Sequence, residues 1–386
     1  MQTIKKISGI LFMILMLGSC IERYYYDAHD DFEPKMVIEG MISDGREVQE
    51  VIVSSSVSPD SGVFLPMSGC IVEVSDEHGN IYSFSESESR KGVYLGVIDK
   101  EDLTTGSRFK LNVTSWKGKQ YESSFEEMPL APPIDSISYR YEVYETAEDI
   151  VPVEGLQFYI DLNTGPEYSD YYRWKLVETF EYHSSYPIQL FLDEQGNMQE
   201  VPVDYSVFTC YSTKTINVIN ILSTQGVSGN RFSDFPLCFV SDRTQRLKYN
   251  YSLLVEQYAI SQDEYRFWER LKKNNKEDSD MFSKQPAAVQ GNLKCISSPG
   301  ETVLGYFSVT GVSEKRIVLK DVDELSFSLL KDCSPIKIEM GFPEEPRPLY
   351  LLRYNDDEGA ALGWLFPECI DCRLKGGVTT KPIFFE

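Results

Sequence analysis

Residues 69–86 read GCIVEVSDEHGNIYSFSE. Apolar and polar residues alternate on either side of His78-Gly79-Asn80, which marks two short strands joined by a tight hairpin. Working outward, the same period recurs in KMVIEGMISD (35–44), which turns at Asp44-Gly45, and in VQEVIVSSSV (48–57). It continues in GVYLGVI (92–98), RFKLNVTSW (108–116) and KQYESSFEEM (119–128), with a further turn at Trp116-Lys117-Gly118-Lys119. About seven short strands spaced by roughly 8–12 residues is the pattern of an immunoglobulin-like β-sandwich. We therefore expect a sandwich over 35–128. MPLAPPI (128–134) is rich in proline and reads as a short stiff linker that closes this unit.

A second β-rich block, 135–386, follows. IDSISYRYEVYE (134–145), YYRWKLVETFEYH (171–183) and EVPVDYSVFTCYS (200–212) read as strands, and LKYNYSLLVEQYAI (247–260) as a long one. One amphipathic helix is expected near 261–274. Ser261 and Glu264 have capping-box spacing, and Tyr265, Trp268 and Leu271 share one face. Glu264, Arg266, Glu269 and Arg270 are expected on the opposite, charged face. The fold class is mainly β: an immunoglobulin-like sandwich followed by a larger β-rich domain with one helix. The 24 tyrosines and 21 phenylalanines fit a β-protein, where aromatics serve chiefly as core and cross-strand pairs.

The N-terminus sets the compartment. Lys5 and Lys6 precede an apolar run, Ile7 to Leu17, too short to span a bilayer but the length of a secretory signal. Leu17-Gly18-Ser19-Cys20 resembles a bacterial lipobox. Residues 1–19 are thus expected to be removed, leaving Cys20 lipidated as the first residue and membrane anchor. Residues 20–34 form an acidic tether, with Glu22, Asp27, Asp30, Asp31 and Glu33. Such a tether resembles the surface-export signals of Bacteroidota lipoproteins. The expected location is the outer membrane, lipid-anchored, at the cell surface, with the periplasmic face as the alternative.

Charge narrows the function classes. The chain carries 37 Lys and Arg against 60 Asp and Glu, a net −23, and losing Lys5 and Lys6 takes it to about −25. Nucleic-acid binding needs a basic face and is excluded as an expectation. The three histidines, His29, His78 and His183, form no H-x-x-x-H pair, and neither a G-x-S-x-G elbow nor a phosphate-binding loop occurs. The acidic clusters DVDEL (321–325) and NDDEG (355–359) lack EF-hand spacing. No catalytic residue, cofactor or metal ligand is assigned, and the chain is expected not to be an enzyme.

Seven cysteines remain after Cys20. In an exported chain disulfides persist, and an odd number leaves at least one thiol free, for which Cys70 is the candidate. CIDC (369–372) admits a redox pair, a zinc knuckle or structural disulfide use, and we take the last, since neither a thioredoxin-like helix nor a second knuckle pair accompanies it. The candidate disulfide cysteines are Cys369, Cys372, Cys210, Cys238, Cys295 and Cys333, with Cys210–Cys238 and Cys295–Cys333 as expected pairs. The tail is expected to dock back through Trp364, Phe366 and the cysteine pair.

CIERYY…DDFEPKMVIEGMISD at the start, FSKQPAAVQGNL…VLGYFSVTG in the middle and PECIDCRLKGGVTTKP (367–382) at the end together resemble the Bacteroidota lipoproteins grouped as domain of unknown function 4249. Phe384 and Phe385 follow the final Lys381-Pro382, but Glu386 adds a charged last residue. The resemblance implies an accessory lipoprotein, often found beside TonB-dependent transporters. It brings no catalytic residue with it. The expected function is a non-catalytic binding module that partners such a transporter in nutrient or peptide uptake. The alternatives are a surface structural or adhesive lipoprotein and, third, a glycan or peptide hydrolase.

Overall fold

The computed structural model describes residues 33–57, 64–145, 151–226, 231–277, 288–320, 322, 325–327, 333–338, 349–357 and 359–386. Cys20, the signal segment and nearly all of the acidic tether lie outside the described residues, as does His29.

The chain is mainly β. It opens with β1 (Met36–Ser43), β2 (Val48–Ser55), β3 (Leu65–Pro66), β4 (Ile71–Asp76), β5 (Ile81–Glu86), β6 (Val93–Val97), β7 (Arg108–Thr114), β8 (Gln120–Ser123) and β9 (Glu126–Glu127). Next come β10 (Ile134–Tyr144), β11 (Val153–Asn163), β12 (Tyr171–His183), β13 (Ile188–Leu192), β14 (Met198–Asp204), β15 (Thr209–Ser223), β16 (Arg231–Ser241) and β17 (Tyr251–Ala259). Helix α1 (Gln262–Glu277) precedes β18 (Leu293–Cys295), β19 (Phe307–Leu319), β20 (Ile336–Lys337), β21 (Tyr350–Asp356) and β22 (Gly359–Leu365).

The 69–86 hairpin forms as its sequence indicates. The Asp76 carboxylate accepts from the backbone N–H groups of His78 (2.9 Å) and Asn80 (2.8 Å), and Gly79 supplies the left-handed φ of +90°. β5 then changes sheets: Ile81–Phe84 pair with β4, while Ser85 and Glu86 pair with β6. Two layers result, β1-β2-β6-β5 and β5-β4-β7-β8, closed over Ile38, Val51, Val72, Phe109 and Leu111.

The 35–128 segment is not self-contained. β18 pairs with β8, and β19 pairs in parallel with β1, placing Gly40 opposite Phe307. Leu293, Cys295, Val303, Phe307 and Val309 complete the first core. The strand path therefore runs unbroken, β15-β12-β17-β19-β1-β2-β6-β5-β4-β7-β8-β18, through both blocks. The proline segment is not a free spacer either, because the Pro132 carbonyl accepts from Gln257 Nε2 (2.8 Å) and Ser313 Oγ (2.7 Å).

At the crossing, the Ile38 N–H donates to the Leu304 carbonyl (2.9 Å) and the Gly40 N–H to that of Tyr306 (3.1 Å). Gly305 has φ +94°, and a Cβ there would lie 2.0 Å from the Ile38 carbonyl oxygen. Gly305→Ala should therefore cost about 2 kcal/mol, from strain and forced separation of the strands. A lowered urea midpoint checks this, and an unchanged one contradicts it.

In the second block the sheet β10-β11-β16 covers β15-β12-β17-β19. Leu156, Phe158 and Ile160 meet Trp174, Leu176, Leu253 and Val255 in the second core. A third sheet, β14-β13-β21-β22-β20, stands beside them.

The cysteines pair otherwise than expected. The disulfides are Cys210–Cys372 and Cys333–Cys369, and Cys70, Cys238 and Cys295 are free thiols. Cys295 is in the first core and so cannot reach Cys333, which lines a cluster beside β21 and β22. Cys238 lies on β16, where burial pushes its thiol up to about 12. The CIDC cysteines sit in successive 3-10 turns, and their side chains reach different partners: Cys372 the second core, Cys369 the third cluster.

The tail does dock, but not through Phe366, which is 47 % exposed. The fully buried Phe385 lies 5.9 Å from the Tyr211 ring, Tyr211 and Val378 exchange backbone hydrogen bonds, and the Tyr182 hydroxyl donates to the Cys372 carbonyl. Trp364 packs against Leu190, Leu192 and Leu351.

Candidate functional site

Strand alternation makes a second face on the continuous sheet. Ile38, Val51, Trp174 and Val255 point into the cores. Their neighbours Glu39, Glu50, Arg173 and Glu256 must point the other way. Because β12, β17, β19, β1 and β2 are consecutive in one sheet, these side chains from distant segments share one surface.

Helix α1 lies over that surface. Ser261 Oγ accepts from the Glu264 N–H at 3.2 Å, half of the expected capping box. The carboxylate of Glu264 does not return to the Ser261 backbone, and Glu264 does not lie on the exposed face. It is 1 % exposed. The stripe that faces the sheet is Glu264, Phe267, Trp268 and Leu271, with spacing i, i+3, i+4, i+7, and of these Glu264 and Phe267 are buried. Between helix and sheet lies a cleft of ≈ 320 Å³, bounded also by Met41, Ile52, Tyr258 and Tyr306. That volume lies within the range of small-molecule sites.

The charges of the cleft are organised around two carboxylates. Glu264 accepts from Trp268 Nε1 (3.0 Å) through one oxygen and from Ser308 Oγ (2.5 Å) through the other. Burial raises its carboxyl above the usual range, outweighing the Arg173 guanidinium 3.7 Å away. Glu256 accepts from the Tyr258 hydroxyl (2.7 Å) and pairs with Lys175 (3.4 Å) and Arg46 (3.8 Å). Arg46 also donates to the Tyr258 hydroxyl, and Arg90 binds Glu50 at 2.6 Å. Glu39 opens into the cleft, and desolvation by the walls holds its carboxyl above the ordinary value.

Arg173 is the exception. Its guanidinium lies 4.7 Å from the Tyr258 ring and 4.6 Å from the Trp268 ring, a cation-π arrangement on both. Its Nε is buried without a hydrogen-bond partner. The side chain is 13 % exposed.

The sequence-derived candidates do not meet here. The disulfide cysteines lie elsewhere, and Cys20 is outside the described residues. His78 occupies its hairpin turn. His183 stacks on Tyr249 at 3.8 Å and contacts Glu181 at 2.8 Å. Asp356 of NDDEG pairs with Lys337, while much of DVDEL lies outside the described residues. Among the described residues no group of His, Cys, Asp and Glu is placed to hold a metal ion. Sequence reasoning missed Arg173 and mislocated Glu264. The available signal was Arg173 and Lys175 alternating with core aromatics on β12.

The model of a domain of unknown function, DUF4249, matches residues 21–316, a span that contains every wall of the cleft. The chain belongs to the DUF4249 family. In this DUF4249 protein the two-disulfide tail lies beyond the matched span, although PECIDCRLKGGVTTKP carried much of the resemblance. No curated protein matches the chain. Among solved structures it is similar to the crystal structure of a DUF4785 family protein from Legionella pneumophila subsp. pneumophila. Identity is 12 %, coverage 57 % of this chain and 51 % of the other, and the TM-score 0.16, too slight to carry fold or function. The chain thus spans about half the length of that neighbour.

Proposed function

We propose that this DUF4249 protein is a non-catalytic binding module, lipid-anchored in the outer membrane through Cys20, that assists a TonB-dependent transporter in nutrient or peptide uptake. The observation that carries the binding reading is the cleft under α1. Its aromatic walls and paired charges offer recognition surface, and Glu264, the carboxylate buried at its base, has both oxygens engaged by fixed donors. A carboxylate so held, each oxygen accepting from a fixed donor, serves to position its neighbours. The anchor and transporter parts of the proposal rest on the LGSC motif and the family resemblance. With the acidic body, they favour a protein held near a membrane yet repelled from its anionic surface.

The test is an affinity pull-down of the tagged full-length protein from gently solubilised outer membrane, with Cys20→Ser as the unlipidated control. A TonB-dependent transporter should co-purify stoichiometrically with the lipidated chain, and the control should partition into the soluble fraction. Recovery of the lipidated chain alone at low salt would overturn the accessory role.

A further inference from the structure

We infer that the cleft is a receptor for a single carboxylate carried on an apolar or aromatic body, with the Arg173 guanidinium as its anchor. The inference rests on the binding reading above and names the ligand class.

Three observations lead there. First, among the described residues no hydrogen-bond acceptor reaches Arg173. Its nearest carboxylate, Glu264, is 3.7 Å away and committed to Trp268 and Ser308. The other cleft cations, Arg46 and Lys175, are already engaged by Glu256. A buried guanidinium with unused donors is costly to keep, and its planar fork matches a carboxylate through two parallel hydrogen bonds.

Second, the guanidinium rests within cation-π distance of both the Tyr258 and the Trp268 ring, contacts that restrict it before any ligand arrives. Pre-orientation reduces the ordering cost of binding. Third, the surroundings select among anions. Met41, Ile52, Phe267 and Leu271 provide an apolar wall. Of the cations lining the cleft, Arg46 and Lys175 are engaged by Glu256, so a doubly charged phosphate would find a single guanidinium to meet its charge. A singly charged carboxylate with an apolar body meets the fork and the wall together.

The carboxylate could belong to a peptide C-terminus or to a small organic acid, and the probes separate these. N-acetyl-alanylphenylalanine, its C-terminal amide and 3-phenylpropionate are titrated into the full-length protein by calorimetry. The free peptide acid or 3-phenylpropionate should bind saturably, and the amide should bind at least 10-fold more weakly than the peptide acid. Binding of both acids assigns small organic acids, and binding of the peptide acid alone assigns a chain terminus. Arg173→Lys keeps the charge beside Glu264 but loses the fork, so it should weaken acid binding at least 10-fold while the unfolding midpoint stays close to that of the parent. Should the variant misfold, the acid–amide comparison on the unaltered protein still decides. Equal affinity for acid and amide, or no saturable binding of either acid at millimolar concentration, overturns the inference. A transporter recovered in the pull-down without carboxylate-dependent binding would leave the accessory role standing and remove this ligand class; the converse would do the reverse.

Discussion

Glu264→Ala should lower the stability of this chain by about 3–5 kcal/mol, the usual penalty for removing one partner of a buried ion pair. The change leaves the Arg173 guanidinium without its nearby charge in a site that is 13 % exposed. It also strips the Trp268 indole N–H and the Ser308 hydroxyl of their acceptor. The carboxylate joins α1 to β12 and β19, so its loss weakens the roof of the cleft and both strands beneath it. Glu264→Gln keeps the shape and one acceptor oxygen, and should cost less. Urea midpoints of the two variants against the parent provide the measurement. A shift for Glu264→Ala no larger than that of an exposed-site control would contradict the account.

The pH dependence has a definite sign. Burial raises the folded carboxyl pKa of Glu264 above its ordinary value of 4.5, so between 4.5 and the folded value the native state holds a proton that the unfolded state has released. Stability from this group is therefore lost as pH rises through that window. Gln does not titrate. The deficit of Glu264→Gln relative to the parent should thus be largest near pH 4.5 and narrow toward neutrality. A deficit that widens as pH rises would show that the Arg173 charge dominates over burial.

Removing Cys210–Cys372 should have an effect of similar size. The bond links residues 162 apart, and that of Cys333–Cys369 residues 36 apart. Loop-closure entropy in the unfolded chain corresponds to about 5 and about 4 kcal/mol respectively, on a model that gives upper values. Cys210→Ser with Cys372→Ser should therefore lower the denaturation midpoint more than Cys333→Ser with Cys369→Ser. The first pair also releases the segment whose Phe385 is fully buried and whose Val378 is bonded to Tyr211, so the tail should become cleavable in limited proteolysis. Reduction of the unaltered protein should reproduce both effects. Identical midpoints for oxidised and reduced protein would refute this role for the bonds.

Much of the local structure was legible in the residues. Alternation in GCIVEVSDEHGNIYSFSE marks two half-buried strands, because burying one sheet face imposes a period of two within a few residues. Asp76 and Gly79 close the turn through their own side chain and backbone freedom. Ser261 marks the helix start because its hydroxyl caps an N–H three residues away. Cys70 is free, as expected, and lies buried immediately before β4. The site was much less legible. Glu264 has the local pattern of a surface capping residue, and nothing within one helical turn shows that Arg173 and Ser308 will cover it.

The mainly β class, the hairpin, the helix and its start, and the negative charge that disfavours nucleic acid all follow from the residues alone. Each of these depends on a residue's own chemistry or on neighbours within about one turn. The tertiary structure decided the return of Leu293–Val309 to complete the first core, the cysteine pairing and the cleft. Those outcomes depend on which sheet edges and faces remain uncovered once the local elements exist. β1 accepts β19 because its free edge and the apolar faces beside it need a partner, wherever in the chain that partner lies. That same parallel junction brings Glu39 and Arg173 onto one surface, a juxtaposition that no sequence spacing encodes.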